Sequence, residues 1–196
     1  PPTSQGLVVG LGNPGPQYER TRHNIGELAV TACAASAGVN FTKFKSQGVT
    51  AVVNHPSGIS FRLAATTSFM NLSGPPVQAM LAFHKIPPTQ LIVVHDELDL
   101  APGVIRLKQG GGHAGHNGLR DIQRALGAPD FFRIRMGIGR PEGRMPPADY
   151  VLGRFQPVEE EALPASFATV CSAIEILATE GLQAAQGRIH SPPASA

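Results

Sequence analysis

Short continuous apolar runs recur along the chain and predict buried strands. The clearest is Leu91 to Val94, and the run Leu7 to Val9 ends abruptly at Gly10. Four further runs have strand character: Val49 to Val53, Ile59 to Leu63, Val104 to Leu107 and Phe132 to Ile138. Because only the turn cluster His55 to Gly58 separates two of these runs, we expect an antiparallel pair in the sheet.

Between these runs lie stretches whose apolar residues have helical spacing. The predicted helices are Asn24 to Ala37, Ser73 through His84, Gly118 to Leu126, and a longer one from near Val158 to Gly181. Asn117 is expected to cap the third helix. Strands and helices that alternate in this way predict an α/β fold, a single three-layer α/β/α domain over residues 1–190 with a mixed, mostly parallel sheet. We expect the tail, residues 191–196, to be disordered.

The composition is that of a protein with a sizeable core. Of the 196 residues 42% are hydrophobic, and no run of about 18 apolar residues predicts a membrane span. The amino-terminal residues do not combine a charged region with a long apolar one, so we expect no signal peptide. The two cysteines, Cys33 and Cys171, match no disulfide framework or zinc pattern, which favours buried free thiols and a reducing cytoplasm.

Positive charge is concentrated in one region of a chain whose net charge is only +2. The basic residues of this region are Arg106, Lys108, Arg120, Arg124, Arg133, Arg135, Arg140 and Arg144. Such a cluster is typical of a face that binds phosphate groups. A solvated surface without a partner is an equally good interpretation of the charge alone.

The segment Gly10 to Gly15 matches the glycine pattern of a dinucleotide-binding loop, which would suit a nicotinamide-dependent oxidoreductase. Three features argue against that function. Pro14 has no N–H for a phosphate, Pro16 to His23 intervene before the helix, and no acidic residue ends the next strand. The loop is better interpreted as one that presents Asn13.

His23 and Asp96 are the candidate catalytic pair. A lone histidine at a helix start, such as His23, is more often a surface or capping residue than a base. Asp96, however, directly follows the strand Leu91 to Val94, and ligands of open α/β sheets bind at the carboxyl ends of strands. A carboxylate there can orient a histidine and stabilise its charged form.

A glycine-rich stretch, Gly110 to Gly118, is expected to approach a ligand closely or to move as a gate. Its histidines, His113 and His116, match no standard zinc spacing, so we predict no metal. The chain has no Gly-x-Ser-x-Gly motif, and neither cysteine lies in a glycine-rich loop. Direct attack by a water molecule that His23 deprotonates is therefore the hydrolytic route left open.

Several separate motifs, in order along nearly the whole chain, carry a family resemblance. They are Val9-Gly10-Leu11-Gly12-Asn13-Pro14-Gly15 with Tyr18 and Thr21-Arg22-His23-Asn24; Phe69-Met70-Asn71-Leu72-Ser73-Gly74; His95-Asp96-Glu97-Leu98-Asp99-Leu100; Gly115-His116-Asn117-Gly118-Leu119; and Arg135 to Pro141. Together they resemble the bacterial-type peptidyl-tRNA hydrolases. The resemblance implies an enzyme that cleaves the ester between peptide and tRNA and so recycles tRNA from stalled translation.

The resemblance also implies roles for single residues. His23 would be the general base, Asp96 would orient it, and Asn13 would help to recognise N-blocked substrates. The residues implied in substrate and tRNA binding are Asn71 and Asn117 near the ester and the attacking water, Tyr18 and Phe69 at the tRNA end, Met70 and His116 lining the cleft, and Lys108 and Arg135 on phosphate. A cytoplasmic monomer that acts on peptidyl-tRNA without cofactor, metal or membrane is the expectation.

Two positions depart from the family pattern. Thr66 stands where the family usually has proline, which is expected to loosen the approach to Asn71. Ala114 replaces a usual glycine and would be strained if that position requires a positive φ. A non-catalytic RNA-binding relative would be expected to lack the base or its partner, whereas this chain carries both His23 and Asp96.

Overall fold

A seven-stranded sheet forms the centre of the molecule, which a computed structural model describes over residues 5–190. The strands are β1 (Gln5–Gly10), β2 (Thr42–Phe44), β3 (Gly48–Asn54), β4 (Ser60–Thr66), β5 (Leu91–Glu97), β6 (Ile105–Gln109) and β7 (Phe132–Gly137). The helices are α1 (Ile25–Ala37), α2 (Gly74–Phe83), α3 (Asn117–Leu126), α4 (Pro147–Val151), α5 (Pro157–Glu180) and α6 (Leu182–Ile189). Short 3-10 turns cover Arg22–Asn24, Met70–Leu72 and Pro88–Gln90.

The strand order is β2-β3-β4-β1-β5-β7-β6. The four strands β4, β1, β5 and β7 run parallel, while β2, β3 and β6 add antiparallel pairs at the two sides. The predicted mixed α/β sheet is therefore confirmed. Because the four central strands end at the same edge, the loops that follow them meet there.

Helices cover both faces of the sheet. Helices α1, α5 and α6 pack on one face, where Val8 of β1 joins Ile25 and Val170 in a buried cluster. Helices α2 and α3 cover the other face, where Leu7 and Val9 meet the remaining core residues. Because β1 is buried on both faces of the sheet, its run Leu7 to Val9 is apolar without interruption.

Two glycines let α1 lie directly against the sheet. A Cβ on Gly26 would stand 2.1 Å from the carbonyl oxygen of Val94, and one on Gly10 would stand 2.4 Å from the carbonyl oxygen of Gly26. No side chain fits at either position. The close contact brings the residues that precede α1, including His23, beside the carboxyl end of β5.

The predicted long elements are confirmed with small changes at their ends. The last long helix, α5, begins at Pro157 and ends before Gly181. Three short elements, β2, α4 and α6, were not predicted because few of their residues are buried and no periodicity develops. The tail from residue 191 lies outside the described residues, so its predicted disorder stays a prediction.

The prediction of free thiols is wrong. Cys33 on α1 and Cys171 on α5 form a disulfide with a Cα–Cα distance of 5.4 Å. The two helices pack side by side on one face of the sheet, so residues 138 positions apart in the chain face each other. The cysteines therefore give no argument for a reducing compartment.

Among the described residues, α5 is the one helix long and apolar enough to cross a membrane. Five of its side chains are buried: Leu163, Val170, Ala173, Ile174 and Leu177. They belong to the cluster that packs α5 against α1 and the sheet. The core helix of a globular protein passes the same test of length and hydropathy, so α5 does not indicate a membrane span.

Candidate active site

Asp96 stands at the centre of a buried hydrogen-bonded group at the carboxyl edge of the sheet. Its Oδ2 lies 2.8 Å from Nδ1 of His23, and its Oδ1 lies 2.7 Å from Nε2 of His116. His23 comes from the 3-10 turn before α1, Asp96 from β5, and His116 from the residue that precedes α3. Only 4% of Asp96 is exposed, and each of its two carboxylate oxygens accepts a hydrogen bond from an imidazole.

The hydrogen bonds of His116 fix the position of its proton. Its Nδ1 accepts from the backbone N–H groups of Gly118 and Leu119, at 3.1 and 3.3 Å. The proton of the neutral ring therefore lies on Nε2, which donates to Asp96. His116, rather than Asn117, is the N-cap of α3, because its side chain reaches the free N–H groups of the first turn.

The same geometry shifts the pKa values of Asp96 and His23. Burial alone would raise the pKa of Asp96, but the neighbouring His23 and His116 more than reverse this and lower it well below its usual range. Burial by itself would lower the pKa of His23, whereas the charge and hydrogen bond of Asp96 raise it overall. Asp96 is thus ionised and stabilises a positive charge on His23.

A third imidazole, His95, stays neutral behind this group. Its pKa is lowered to about 3 by complete burial and by the nearby His116, and its Nδ1 donates to the carbonyl oxygen of Asp96. Its ring packs edge-on against His116 with 5.2 Å between centroids. His95 fills space beside the pair and carries no charge there.

His23 opens onto a cleft of about 180 Å³. With Nδ1 directed at Asp96, the neutral ring presents the lone pair of Nε2, for which the described residues supply no hydrogen-bond donor. Six of the predicted site residues line this cleft: His23, Asp96, Lys108, His116, Asn117 and Arg135. The other five, Asn13, Tyr18, Phe69, Met70 and Asn71, lie outside the cleft lining.

Asn13 is held by hydrogen bonds on both its backbone and its side chain. Its N–H donates to Oδ1 of Asn24, and its carbonyl oxygen accepts from Nδ2 of Asn24, both at 2.9 Å. Its side-chain Oδ1 accepts from the N–H of Met70 at 2.7 Å. The amide Nδ2 of Asn13 is left as a fixed donor. Asn24 was not predicted, although its place directly after His23 in the motif is visible in the sequence.

Met70 connects this second group to the cleft. A Cβ on Gly118 would lie 2.7 Å from the sulfur of Met70 and 3.2 Å from Cε1 of His116, so both side chains border this glycine. Phe69 is half exposed and contacts Tyr18 edge-on, with 6.2 Å between ring centroids. Asn71 is exposed beside them.

The cleft has a basic wall on the β6 and β7 side. Lys108 lies on β6 and Arg135 on β7, and Arg135 lies 3.7 Å from a carboxylate oxygen of Glu97. Burial and the neighbouring Arg135 and Arg133 lower the pKa of Lys108. Within residues 5–190 a single ion pair, that of Arg135 with Glu97, offsets these two adjacent cations, which favours an anionic ligand.

Arg133 holds the glycine-rich stretch, a role that the sequence did not predict, although Arg133 belongs to the basic cluster expected to bind phosphate. This fully buried side chain donates from Nη1 to the carbonyl oxygen of Gly112 and from Nη2 to that of Gly111, at 2.6 and 2.8 Å. Farther along the stretch, Ala114 has a φ of 49°, which confirms that the position takes a positive φ. The stretch is therefore fastened at one end and strained in its middle.

Arg22, next to His23, fixes the opposite wall of the cleft and was also missed. Its guanidinium donates to both carboxylate oxygens of Glu159 on α5, at 3.0 and 2.7 Å. It also lies 4.0 Å from the ring centroid of Tyr150 and donates to the carbonyl oxygen of that residue. Tyr150 belongs to α4, whose Val151 lines the cleft.

The donor atoms of His23, Asp96 and His116 lie within 4.8 Å of one another, which is close enough to hold a metal ion. One nitrogen of each imidazole is hydrogen-bonded to Asp96, and the second nitrogen of His116 caps α3. A metal ion at this point would have to replace the two protons that bind Asp96.

Comparison of the whole chain with known proteins points to one family. The family model described as peptidyl-tRNA hydrolase matches residues 7–196. Peptidyl-tRNA hydrolase of Nocardia farcinica is 48% identical over 97% of this chain and 98% of its own length, and that of Rhodococcus jostii is 50% identical over 94% and 97%. The crystal structure of peptidyl-tRNA hydrolase from Acinetobacter baumannii superposes with a TM-score of 0.88 at 37% identity, over 97% of each chain. A complex of peptidyl-tRNA hydrolase with N-propanol has a TM-score of 0.90 at 36% identity and covers both chains completely.

Proposed function

Because the chain belongs to the peptidyl-tRNA hydrolase family and is an enzyme that hydrolyses the ester of peptidyl-tRNA, we propose that His23 is the general base of this reaction. The observation that carries the proposal is the pair formed by Asp96 and Nδ1 of His23, 2.8 Å apart, with Nε2 of His23 at the cleft. Such a pair orients one nitrogen toward a substrate water and stabilises the imidazolium that forms.

The reaction then proceeds in two proton transfers. Nε2 of His23 takes a proton from water while the water oxygen bonds to the ester carbonyl carbon. When the tetrahedral intermediate collapses, the bond to the ribose oxygen breaks, and the imidazolium returns its proton to that oxygen. The products are free tRNA and a peptide with a carboxyl group, and the enzyme needs no cofactor for this sequence.

Side-chain amides are proposed to stabilise the oxyanion and to hold the water. Asn13 suits the first role because Met70 already occupies its Oδ1, which leaves Nδ2 as a donor in a fixed orientation. Asn71 would serve beside it. Asn117 lines the cleft at the start of α3 and would hold the attacking water. The fixed donor of Asn13 would also read the amide that distinguishes an N-blocked substrate.

The basic wall is proposed to hold the tRNA end. Lys108 and Arg135 would bind a phosphate near the ester. Tyr18 and Phe69 would stack on an unpaired base, which suits the exposed ring of Phe69. Met70 and His116 would line the space between these two groups.

The setting of the enzyme is also proposed. Residues 1–190 would form one domain that acts as a monomer in the cytoplasm, where peptidyl-tRNA arises. Glutathione and thioredoxin would keep many disulfides reduced there. The site lies at the sheet edge and does not involve the cysteines, so it would serve in either redox state.

Replacement of the base tests the proposal. His23→Ala should lower turnover of an N-acetyl-aminoacyl-tRNA by at least about 10²-fold, because the proton acceptor is lost. Binding of deacylated tRNA, measured by filter retention, should change little. His55→Ala, at the turn between β3 and β4, is the matched control and should keep full turnover. Unchanged turnover in His23→Ala would contradict the proposal.

A further inference from the structure

About a third of the chain carries positive charge and no carboxylate of its own. Between Glu27 and Asp96 the sequence contains no aspartate or glutamate, yet it contains Lys43, Lys45, Arg62 and Lys85. This segment builds β2, β3, β4 and α2, together with most of α1 and β5. An acid-free surface of this kind attracts anionic groups.

Part of this segment forms a lysine–aromatic patch, defined by Phe44, Lys45, Phe83, His84 and Lys85. The rings of Phe44 and Phe83 meet edge-on at 5.3 Å, and Nζ of Lys45 lies 5.0 Å from the centroid of Phe83. Phe83 is 59% exposed. Within residues 5–190 neither Lys45 nor Lys85 forms an ion pair, so both ammonium groups are available to a ligand.

The lysine–aromatic patch reaches the edge of the sheet at which the cleft lies. Gly48, at the start of β3, pairs with Thr66, and Gly10 pairs with the adjacent Ala65. The turn that contains Lys45 therefore projects beyond the carboxyl ends of β4 and β1. Thr67 fastens this turn, because its N–H donates to Gln47 at 3.1 Å.

The segment that follows β4 connects the two sites. Leu72 of this segment is 53% exposed, and the N–H of Met70 binds Asn13 in the loop after β1. His23 lies beside the end of β5, and four strand spacings, about 19 Å, separate β5 from β2. An extended peptide covers that distance with about five or six residues.

Two different surfaces lie on the two sides of the bound ester. The basic wall with Lys108 and Arg135 lies on β6 and β7, on one side of His23, and is proposed to hold the tRNA end. The lysine–aromatic patch lies on the other side, across β4 and β3. A substrate whose ester carbon lies at His23 and whose tRNA lies on the basic wall directs its peptide toward β2.

We propose that the lysine–aromatic patch is a peptide subsite that favours acidic side chains about five or six residues from the ester. The inference rests on the proposed function. Lys45 and Lys85 would pair with carboxylates, while the exposed ring of Phe83 would contact apolar atoms of the same peptide. Exposed ion pairs of this kind change affinity by about twofold to fivefold each.

A competition between peptides on one tRNA tests the inference. Two hexapeptidyl-tRNAs differ only at the fifth and sixth residues from the ester, which are both Glu or both Gln, and a dipeptidyl-tRNA serves as the short reference. The ratio of kcat/KM for the Glu substrate to that for the Gln substrate should be about five in the wild-type enzyme. It should shrink toward one at high salt.

Variants locate the preference. The ratio should fall to about one in Lys45→Gln/Lys85→Gln and below one in Lys45→Glu/Lys85→Glu, while the dipeptidyl-tRNA should be cleaved equally well by all three enzymes. Arg144→Glu is the matched control, since it reverses the charge of an exposed cation in the loop before α4. That variant should keep the wild-type ratio, because both substrates carry the same tRNA and any effect on tRNA binding cancels in the ratio.

Other outcomes overturn the inference. A wild-type ratio of one, or a ratio that survives in both lysine variants, would remove the peptide subsite. Equal losses on all three substrates and on binding of deacylated tRNA would assign the lysine–aromatic patch to RNA instead. A failure of the proposed function would be seen separately, because the His23→Ala variant would then still cleave all three substrates.

Discussion

At the scale of single residues, hydrogen-bond direction decides what each titratable group does. Asp96 accepts a hydrogen bond from each of two imidazoles, and these bonds keep its carboxylate ionised. His116 is locked by α3, whereas His23 keeps one nitrogen at the cleft. Three histidines that are hydrogen-bonded to Asp96 therefore have three different roles. Their type alone could not assign those roles.

Glu27 shows the opposite effect of burial. Its carboxylate lies beneath the loop that carries Asn13, where a Cβ on Gly12 would approach Oε2 to 2.2 Å. Burial and the neighbouring Glu19 raise the pKa of Glu27 to about 7. The folded state thus prefers the protonated acid, and stability falls as the pH rises from the unfolded pKa of about 4.5 to the folded value.

Glu27→Gln should therefore stabilise the protein at pH 8, by on the order of 2 kcal/mol, and change the free energy of unfolding little at pH 4.5. Urea unfolding at the two pH values measures the difference. Glu161→Gln, which removes an exposed carboxylate from α5, is the control and should show no such pH dependence. A gain of equal size at both pH values would contradict the account.

At the scale of elements, distant segments hold the cleft together. The ion pair of Arg22 and Glu159 links the turn before α1 to the start of α5, and the disulfide of Cys33 and Cys171 links the same two helices farther along. Both links lie on the α1 and α5 side of the sheet. The disulfide is remote from the cleft lining, whereas Arg22 is adjacent to His23.

The disulfide is expected to act on stability and not on catalysis. Replacing both cysteines by serine, Cys33→Ser/Cys171→Ser, should lower the free energy of unfolding by about 2–4 kcal/mol relative to the oxidised enzyme, because the bond closes a long loop. The value of kcat/KM at 25 °C should stay within about twofold. Dithiothreitol should lower the Tm of the wild type and leave that of the serine variant unchanged, while equal responses of the two proteins would refute this assignment.

The sequence predicts helices and strands well where an apolar pattern continues over many residues. It predicts contacts poorly where the two residues are far apart in the chain. The buried strand β5 and the long helix α5 were predicted from their apolar patterns. The three-residue strand β2 and the five-residue helix α4 give no pattern to recognise. Arg22 and Glu159 are 137 positions apart and the two cysteines 138, so no local pattern identifies either pair.

At the scale of the whole molecule, the sheet brings the site together from separate segments. His23 and Asp96 are 73 positions apart in the sequence and are neighbours because α1 lies against β5. Family motifs named both residues, but only the fold shows that they touch. The same sheet sets the basic wall and the lysine–aromatic patch on opposite sides of His23.

The central claim is that His23, with its pKa raised by Asp96, takes the proton from water. The most direct measurement is the single-turnover rate of ester cleavage as a function of pH, for the wild type and for Asp96→Asn. The wild-type rate should rise with pH through an inflection above the usual histidine value of 6.5, because only neutral His23 accepts a proton. In Asp96→Asn the burial of His23 is no longer opposed by a carboxylate, so the inflection should move to lower pH while the maximal rate falls by about 10²-fold or more. An inflection at the same pH in both enzymes would contradict the account.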